Sequence, residues 1–182
     1  VTTTRPRIPF RETIRHAARH HARHRRQTGG HGQFADVTLE VAPRPRGGGF
    51  AFEDRIVGGA IPRKYIPAVA EAAEDAARKG PLGNPVVDIE VTLVDGGFHS
   101  VDSSDMAFAA ATRMALAEAL ARAEPVLLEP VEHVLVQVPV AFTAAAQRLL
   151  TGHRGQLLGH AEQPGRAGWD EVAAMVPAAE LH

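Results

Sequence analysis

Three glycines within four positions are the feature of this sequence that most constrains its fold. The stretch 28–34 has the sequence TGGHGQF, and glycine is unfavourable inside helices and strands but adopts positive φ angles readily. The segment 19–26 is rich in arginine and histidine, whereas 36–41 alternates polar and apolar residues as a half-buried strand does. We therefore predict a β-hairpin with this stretch at its tip. A basic, protruding tip suits a phosphate-rich partner, although an ordinary solvated turn has the same pattern.

The charge of the chain is divided unevenly along its length. Residues 1–33 carry a formal charge of +7 and the remaining residues −8, which leaves −1 for all 182 residues. This asymmetry indicates a local anionic partner. The absence of cysteine excludes disulfides, thiolate catalysis and cysteine-based zinc sites. We expect no membrane span, because no run approaches about 18 apolar residues. We expect no signal peptide, because no charged and then apolar leader opens the sequence. A first residue of Val1 suggests a fragment or a processed product.

Two helices are predicted in the first two thirds of the chain, over 62–79 and 104–123, with a strand over 86–94 between them. Pro62 suits the first turn of a helix, and Gly80 suits a C-cap. The second helix follows the capping sequence DSSD at 102–105. Its expected core stripe consists of Met106, Ala110, Met114, Ala117 and Leu120.

Residues 10–27 are ambiguous from local pattern. Their alanine, arginine and histidine content favours a helix, but the segment leads directly into the hairpin tip, so part of it should pair with the strand at 36–42. A second glycine turn is expected over 95–99, and residues 125–130 are expected to be a connector between domains. The remaining chain predicts strand, helix, strand and strand, at 133–138, 142–150, 154–161 and 169–176, which is three quarters of a split βαβ domain.

Sequence motifs for catalysis are absent or have a simpler explanation. The chain has no GxxxxGK[ST] phosphate loop and no GxSxG or HExxH motif. His16, His20 and His24 would share one face of a helix and could hold a transition metal, but nearby arginines would repel a cation. The DSSD segment near His99 could form a hydrolytic Ser/His/Asp cluster, although helix capping explains its residues better. A metal-dependent or Ser/His hydrolase that uses the histidine cluster remains an alternative.

Five segments of the chain resemble, in the same order, five segments of one known protein family. Residues 10–15 (FRETIR) resemble that family's YRETIR, and residues 28–34 resemble TGGRGQY. Residues 57–69 (VGGAIPRKYIPAV) resemble VGGVIPREYIPAV, and residues 95–108 (DGGFHSVDSSDMAF) resemble DGSYHEVDSSEMAF. Residues 125–130 are PVLLEP, as in the family. The chain thus resembles elongation factor G, the translocation GTPase of the ribosome. The resemblance covers almost the whole chain from about residue 7.

The resemblance implies an α+β protein of two domains. Residues 1–124, with a linker at 1–8, correspond to the family's fourth domain, a sheet with helices of the type found in the second domain of ribosomal protein S5. Residues 125–182 correspond to most of the fifth domain, an incomplete, C-terminally truncated ferredoxin-like βαββ domain. The segment matching 10–27 is largely extended in the family, which favours strands there.

The function implied by the resemblance is that of a C-terminal fragment of a translational GTPase. The fragment would bind the ribosome and promote GTP-dependent translocation of tRNA and mRNA, its tip mimicking a tRNA anticodon arm at the decoding centre. The chain itself would then be no enzyme and would hold no cofactor or metal, because GTP and Mg²⁺ belong to an upstream domain. Its expected partners are rRNA and the tRNA–mRNA duplex, and a cytoplasmic monomer is expected. The predicted nucleic-acid-binding residues are Arg23, Arg25, Arg26, Gly29, Gly30, His31, Gly32, Gln33, Gly96, Gly97, Phe98 and His99.

The tip departs from the family pattern at two places. His31 replaces the usual arginine, which removes a permanent charge, and Ala35-Asp36 replaces a Gly-His pair, which adds a negative charge. These departures leave a divergent paralogue, acting in ribosome recycling or antibiotic protection, as an alternative to the translocation factor.

Overall fold

The computed structural model of the chain describes residues 7–27 and 29–181. These residues form two compact units, one made of 11–128 and the other of 7–10 with 129–181. The expected linker at 1–8 therefore lies mostly outside the described residues. None of the helices in the described chain is long and apolar enough to cross a membrane. The protein has a mixed α+β structure, as the sequence predicts.

The first unit contains six strands and two helices among its described residues. The elements are β1 (Arg11–Ile14), β2 (Ala18–Arg26), β3 (Gln33–Pro43), β4 (Phe50–Asp54), α1 (Ile66–Ala76), β5 (Ile89–Gly97), α2 (Asp105–Arg122) and β6 (Pro125–Leu128). Strands β2, β3, β5 and β4 form one sheet in that order, antiparallel except for the parallel pair β4–β5, while β1 and β6 form a separate antiparallel pair.

Three segments of this unit differ from the sequence-based expectation because tertiary pairing overrides local propensity. The segment 10–27 contains no helix, since β1 pairs with β6 and β2 pairs with β3. The expected connector at 125–130 begins with the strand β6. The expected glycine turn at 95–99 is also wrong in its first half, because β5 continues through Gly97.

The core of the first unit lies between the sheet and one face of α2. Alternate residues of β3 and β5 are fully buried, and α2 contributes Phe108, Leu116 and a series of alanines that let the helix approach the sheet closely. The predicted core stripe of α2 is wrong at both methionines, since Met106 is 67% exposed and Met114 is 49% exposed, and it is wrong at Ala117, which is also exposed. Because α2 is apolar on most of its circumference, its sequence does not specify which face packs on the sheet.

A buried carboxylate ties β1 to the loop that follows α1. Glu12 is fully buried, and its Oε2 accepts hydrogen bonds from the backbone N–H groups of Leu82, at 2.9 Å, and Asn84, at 3.4 Å. Its Oε1 has no hydrogen-bond partner within the described residues. Burial raises the pKa of Glu12 above the usual glutamate value, because a buried charge lacks solvation.

The second unit has the predicted order of strand, helix, strand and strand. The elements are β7 (Val131–Pro139), α3 (Thr143–Gly152), β8 (Gln156–Glu162) and β9 (Trp169–Pro177). The antiparallel sheet has the order β7–β9–β8, and α3 packs against one face through Ala146 and Leu150. Arg154 donates to the carboxylates of Glu129 and Glu180, both at 2.8 Å, and these carboxylates raise the pKa of Arg154.

Candidate nucleic-acid interface

The predicted hairpin is present and is formed by β2 and β3. Its register runs without interruption from Ala18 opposite Val41 to Arg26 opposite Gln33. The connecting tip includes Gly29, whose φ of 48° lies in the left-handed region that glycine adopts without strain. Gly29, Gly30 and His31 are exposed, so the tip presents backbone groups directly to solvent. Thr28 lies outside the described residues.

A second loop packs against the start of β3 and forms one surface with the hairpin tip. The backbone N–H of Phe34 donates to the carbonyl oxygen of Asp102 at 2.9 Å. The Ser103 hydroxyl donates to the Phe34 carbonyl oxygen at 2.7 Å and accepts from the His99 N–H at 2.9 Å. A Cβ atom on Gly32 would lie only 2.9 Å from the Asp102 carboxylate, so a larger residue at this position would require the Asp102 side chain to move. We call residues 29–34 and 98–103 together the two-loop tip.

The imidazole of His99 is oriented by its own loop. Its Nδ1 accepts from the backbone N–H groups of Val101, at 3.3 Å, and Asp102, at 3.2 Å. Because Nδ1 is an acceptor, the neutral ring carries its proton on Nε2. The half-exposed His99 side chain can therefore offer Nε2–H as a donor to a ligand. Phe98 beside it is 47% exposed and presents an aromatic face.

Gln33 is held at the base of the tip by a residue that the sequence did not single out for binding. His24 Nε2 lies 2.8 Å from Gln33 Oε1, which fixes the side-chain amide. With its oxygen in this contact, the amide nitrogen of Gln33 is left as a donor. Strand register could have indicated this pair, because His24 faces Ala35 and lies diagonally beside Gln33.

An open cleft brings several of the predicted residues together. It has a volume of about 300 Å³, and the predicted residues Arg25, Arg26, Gln33 and His99 line it together with three others. The three that sequence reasoning did not assign to binding are Gln27, Phe34 and Asp102. A cleft with cationic rims, an amide and an imidazole donor can contact phosphates, 2′-hydroxyls and base edges.

Three predicted binding residues have other contacts in the structure. Arg23 does not line the cleft, because its Nε donates to Asp36 Oδ2 at 2.8 Å. Gly96 and Gly97 belong to β5 and pair with β3. A Cβ atom on Gly96 would lie 2.8 Å from Ile61 Cγ1 and closer still to the Asp36 carbonyl oxygen, so close packing explains this glycine. A direct role of these three residues in binding stays a prediction.

The alternative based on a histidine cluster loses its geometric basis. His20 and His24 lie on a strand, where a spacing of four residues separates them by about 13 Å, and His16 Nε2 lies 2.8 Å from the Glu124 carboxylate. Within residues 7–27 and 29–181, no three His, Asp or Glu side chains are placed to hold a metal. The DSSD hydroxyls bond to backbone, since Ser104 accepts from the N–H of Ala107 at 3.1 Å as an N-cap.

Comparison with known proteins agrees with the sequence resemblance. Residues 6–124 match the family model "Elongation factor G, domain IV", and residues 126–182 match "Elongation factor G C-terminus". An elongation factor G-like protein from Synechocystis sp. (strain PCC 6803) is 48% identical over 181 residues, which is 100% of this chain and 27% of that protein. A crystal structure from Thermus thermophilus has a TM-score of 0.85 and 41% identity, covering 96% of this chain and 26% of that one.

The chain thus spans about a quarter of the length of these relatives, 27% of one and 26% of the other. The two matched segments belong to the same family, and together they cover almost the whole chain. The chain therefore belongs to the elongation factor G family, of which it carries the domain IV and C-terminal regions.

Proposed function

We propose that this chain is the ribosome-binding part of a translational GTPase and that its two-loop tip contacts RNA at the decoding centre of the small subunit. The observation that carries this proposal is the cleft in which Arg25, Arg26, Gln33 and His99 converge. These side chains come from β2, β3 and the loop after β5. Their convergence at one end of the first unit is expected of a binding surface and is not required by packing.

Each group in the cleft has a distinct task in this proposal. The guanidinium groups of Arg25 and Arg26 contact phosphate oxygens, which position the protein without reading sequence. The amide nitrogen of Gln33 and the Nε2–H of His99 donate to 2′-hydroxyls or base edges in the shallow minor groove of an RNA duplex. The exposed glycines at 29–30 let the backbone approach that groove closely.

The chain contributes binding and positioning, and it does not perform the chemical step. In this proposal a GTPase domain outside the chain binds GTP and Mg²⁺ and hydrolyses the nucleotide. The tip then occupies the space of an anticodon arm and stabilises a displaced tRNA during translocation in the cytoplasm. A monomer is sufficient for this task, because the whole cleft comes from one chain.

The test is a pair of substitutions in the longer protein that joins this chain to its GTPase domain. Gln33→Ala and His99→Ala should each slow translocation about threefold to tenfold, as expected for one lost hydrogen bond. Ribosome-stimulated GTP hydrolysis should stay unchanged. Matched controls are Gln156→Ala and His133→Ala, which replace exposed residues of the same types in the second unit.

Translocation is measured by the movement of a fluorescent mRNA, and subunit splitting is followed in the same preparations. Unchanged translocation in both tip variants would contradict the proposal. A selective loss of subunit splitting would assign the tip to ribosome recycling.

A further inference from the structure

Asp36 forms the centre of a charge cluster just below the tip. The residue is only 8% exposed, and each of its carboxylate oxygens has a cationic or potentially cationic neighbour. Oδ2 accepts from Arg23 Nε at 2.8 Å, and Oδ1 lies 2.5 Å from His21 Nε2. Both neighbours belong to β2, the strand that carries the arginines of the hairpin.

The sheet provides the space that this cluster occupies. Asp36 lies directly opposite Arg23 on β2 and directly opposite Gly97 on β5. A Cβ atom on Gly97 would already touch Asp36 Cβ at 3.5 Å, so a larger residue there would crowd the carboxylate. The guanidinium of Arg23, which donates to Asp36, also lies 5.9 Å from the centroid of the Phe34 ring.

The arginines of the hairpin therefore differ in their availability. Arg23 is held by a charge-assisted hydrogen bond, which is stronger than a neutral one. Moving Arg23 onto a phosphate would leave a nearly buried carboxylate without that partner, which is costly. In contrast, Arg25 and Arg26 form no ion pair within residues 7–27 and 29–181, and both are exposed at the cleft.

We propose that Asp36 limits the attraction of the hairpin for RNA by holding Arg23 against the sheet, so that Arg25 and Arg26 supply the phosphate contacts. This inference rests on the proposed RNA-binding function. It makes Asp36 a positioning residue that weakens sequence-independent binding, while the donors on Gln33 and His99 are unaffected. A tip that must enter and leave a crowded RNA site benefits from such a limit, because each phosphate contact adds affinity without selectivity.

The experiment measures binding of the 182-residue chain to purified bacterial 30S subunits carrying mRNA and tRNA, at a series of salt concentrations. Asp36→Asn should release Arg23 and tighten binding. One added phosphate contact should steepen the slope of log Kd against log salt by about 0.7 to 0.9. That change corresponds to about threefold more affinity lost between 50 and 200 mM salt. The control is Glu40→Gln, which removes one negative charge from the same face of β3 and should leave the slope unchanged.

A double-mutant cycle separates release of Arg23 from the simple loss of a negative charge. Arg23→Gln should leave both affinity and slope unchanged in the native chain, because the side chain is already held by Asp36. In the Asp36→Asn background, Arg23→Gln should abolish the gain in affinity and in salt slope. Arg23→Gln replaces a side chain that is 58% exposed by an amide that can still donate to the Asp36 carboxylate, so its result stands even where Asp36→Asn disturbs folding.

Two outcomes would overturn the inference. In the first, Arg23→Gln lowers the salt slope of binding by the native chain as much as Arg25→Gln does. In the second, Asp36→Asn has the same salt slope as Glu40→Gln. Failure of the proposed function has a different signature, in which Arg25→Gln and Arg26→Gln leave binding unchanged. Weaker binding in those two variants with no effect of Asp36→Asn would refute the inference alone.

Discussion

Substituting Gly96 by alanine tests whether this glycine is required for packing beneath the tip. Gly96 lies in β5 opposite Val37, and its φ is outside the left-handed region, so alanine can adopt its backbone conformation. The added methyl group would lie 2.5 Å from Ile61 Cδ1 and nearer still to the carbonyl oxygen of Asp36. The Ile61 side chain can move, but the carbonyl oxygen belongs to the central strand β3.

Two opposing contributions determine how much Gly96→Ala changes the free energy of unfolding. Overpacking of this kind costs about 1–3 kcal/mol, whereas replacing glycine by alanine restricts the unfolded chain and returns about 0.4–1 kcal/mol. Because part of the clash is with backbone, Gly96→Ala should lower the free energy of unfolding by about 2 kcal/mol. Gly97→Ala is the matched control, since its Cβ would meet only Asp36 Cβ at an ordinary 3.5 Å. That variant should be as stable as the native chain or slightly more stable.

The assay is urea denaturation followed by far-UV circular dichroism, which is dominated by α1 and α2 of the first unit. The single tryptophan, Trp169, lies in the second unit and reports independently on its unfolding. In Gly96→Ala, only the unfolding transition of the first unit should shift to lower urea concentration. Equal stability of the two glycine variants would refute the packing argument. Weakened 30S binding by Gly96→Ala at unchanged stability would instead indicate a direct contact with RNA.

Two further substitutions test particular contacts in the first unit. Ser103→Ala removes the hydroxyl that joins the second loop to β3, which costs two hydrogen bonds. The backbone amide of His99 should therefore exchange its hydrogen faster, by the equivalent of about 1–2 kcal/mol. An unchanged exchange rate would contradict this expectation. Because burial raises the pKa of Glu12, folding favours its protonated form, and this stabilisation is lost as pH rises above the ordinary value of 4.5. Urea denaturation over a pH series should therefore show Glu12→Gln gaining stability relative to the native chain with rising pH, and a constant difference would contradict the assignment.

The sequence predicts most elements of the fold because their patterns are local. The alternation at 36–41, the serine cap before α2 and the glycine-rich tip each specify their structure within a few residues. The packed face of α2 was assigned incorrectly, since Met106 and Met114 look like core residues on a helix with few polar positions. The strand β6 was missed because its pairing with β1 joins segments more than a hundred residues apart, which no local pattern encodes.

The sequence predicts only part of the candidate site, because a local pattern does not encode contacts between strands. Motif resemblance gave Gln33, His99 and the tip glycines, whose roles depend on backbone conformation and chemical type. It could not tell that Arg23 is held by Asp36 while Arg25 and Arg26 face the cleft, because this depends on cross-strand register. It also could not tell that Gly96 is a packing residue, since its neighbours come from β3 and from the loop before α1.

The central claim is that the two-loop tip contacts small-subunit RNA, and directed hydroxyl-radical cleavage tests it most directly. The chain has no cysteine, so His31→Cys gives a single attachment point for an iron chelate at the tip. Pro45→Cys gives a matched point in the turn after β3, at the other end of that 11-residue strand. We expect cleavage of decoding-centre rRNA from position 31 and none there from position 45. Equal cleavage from both positions, or cleavage from position 45 alone, would contradict it.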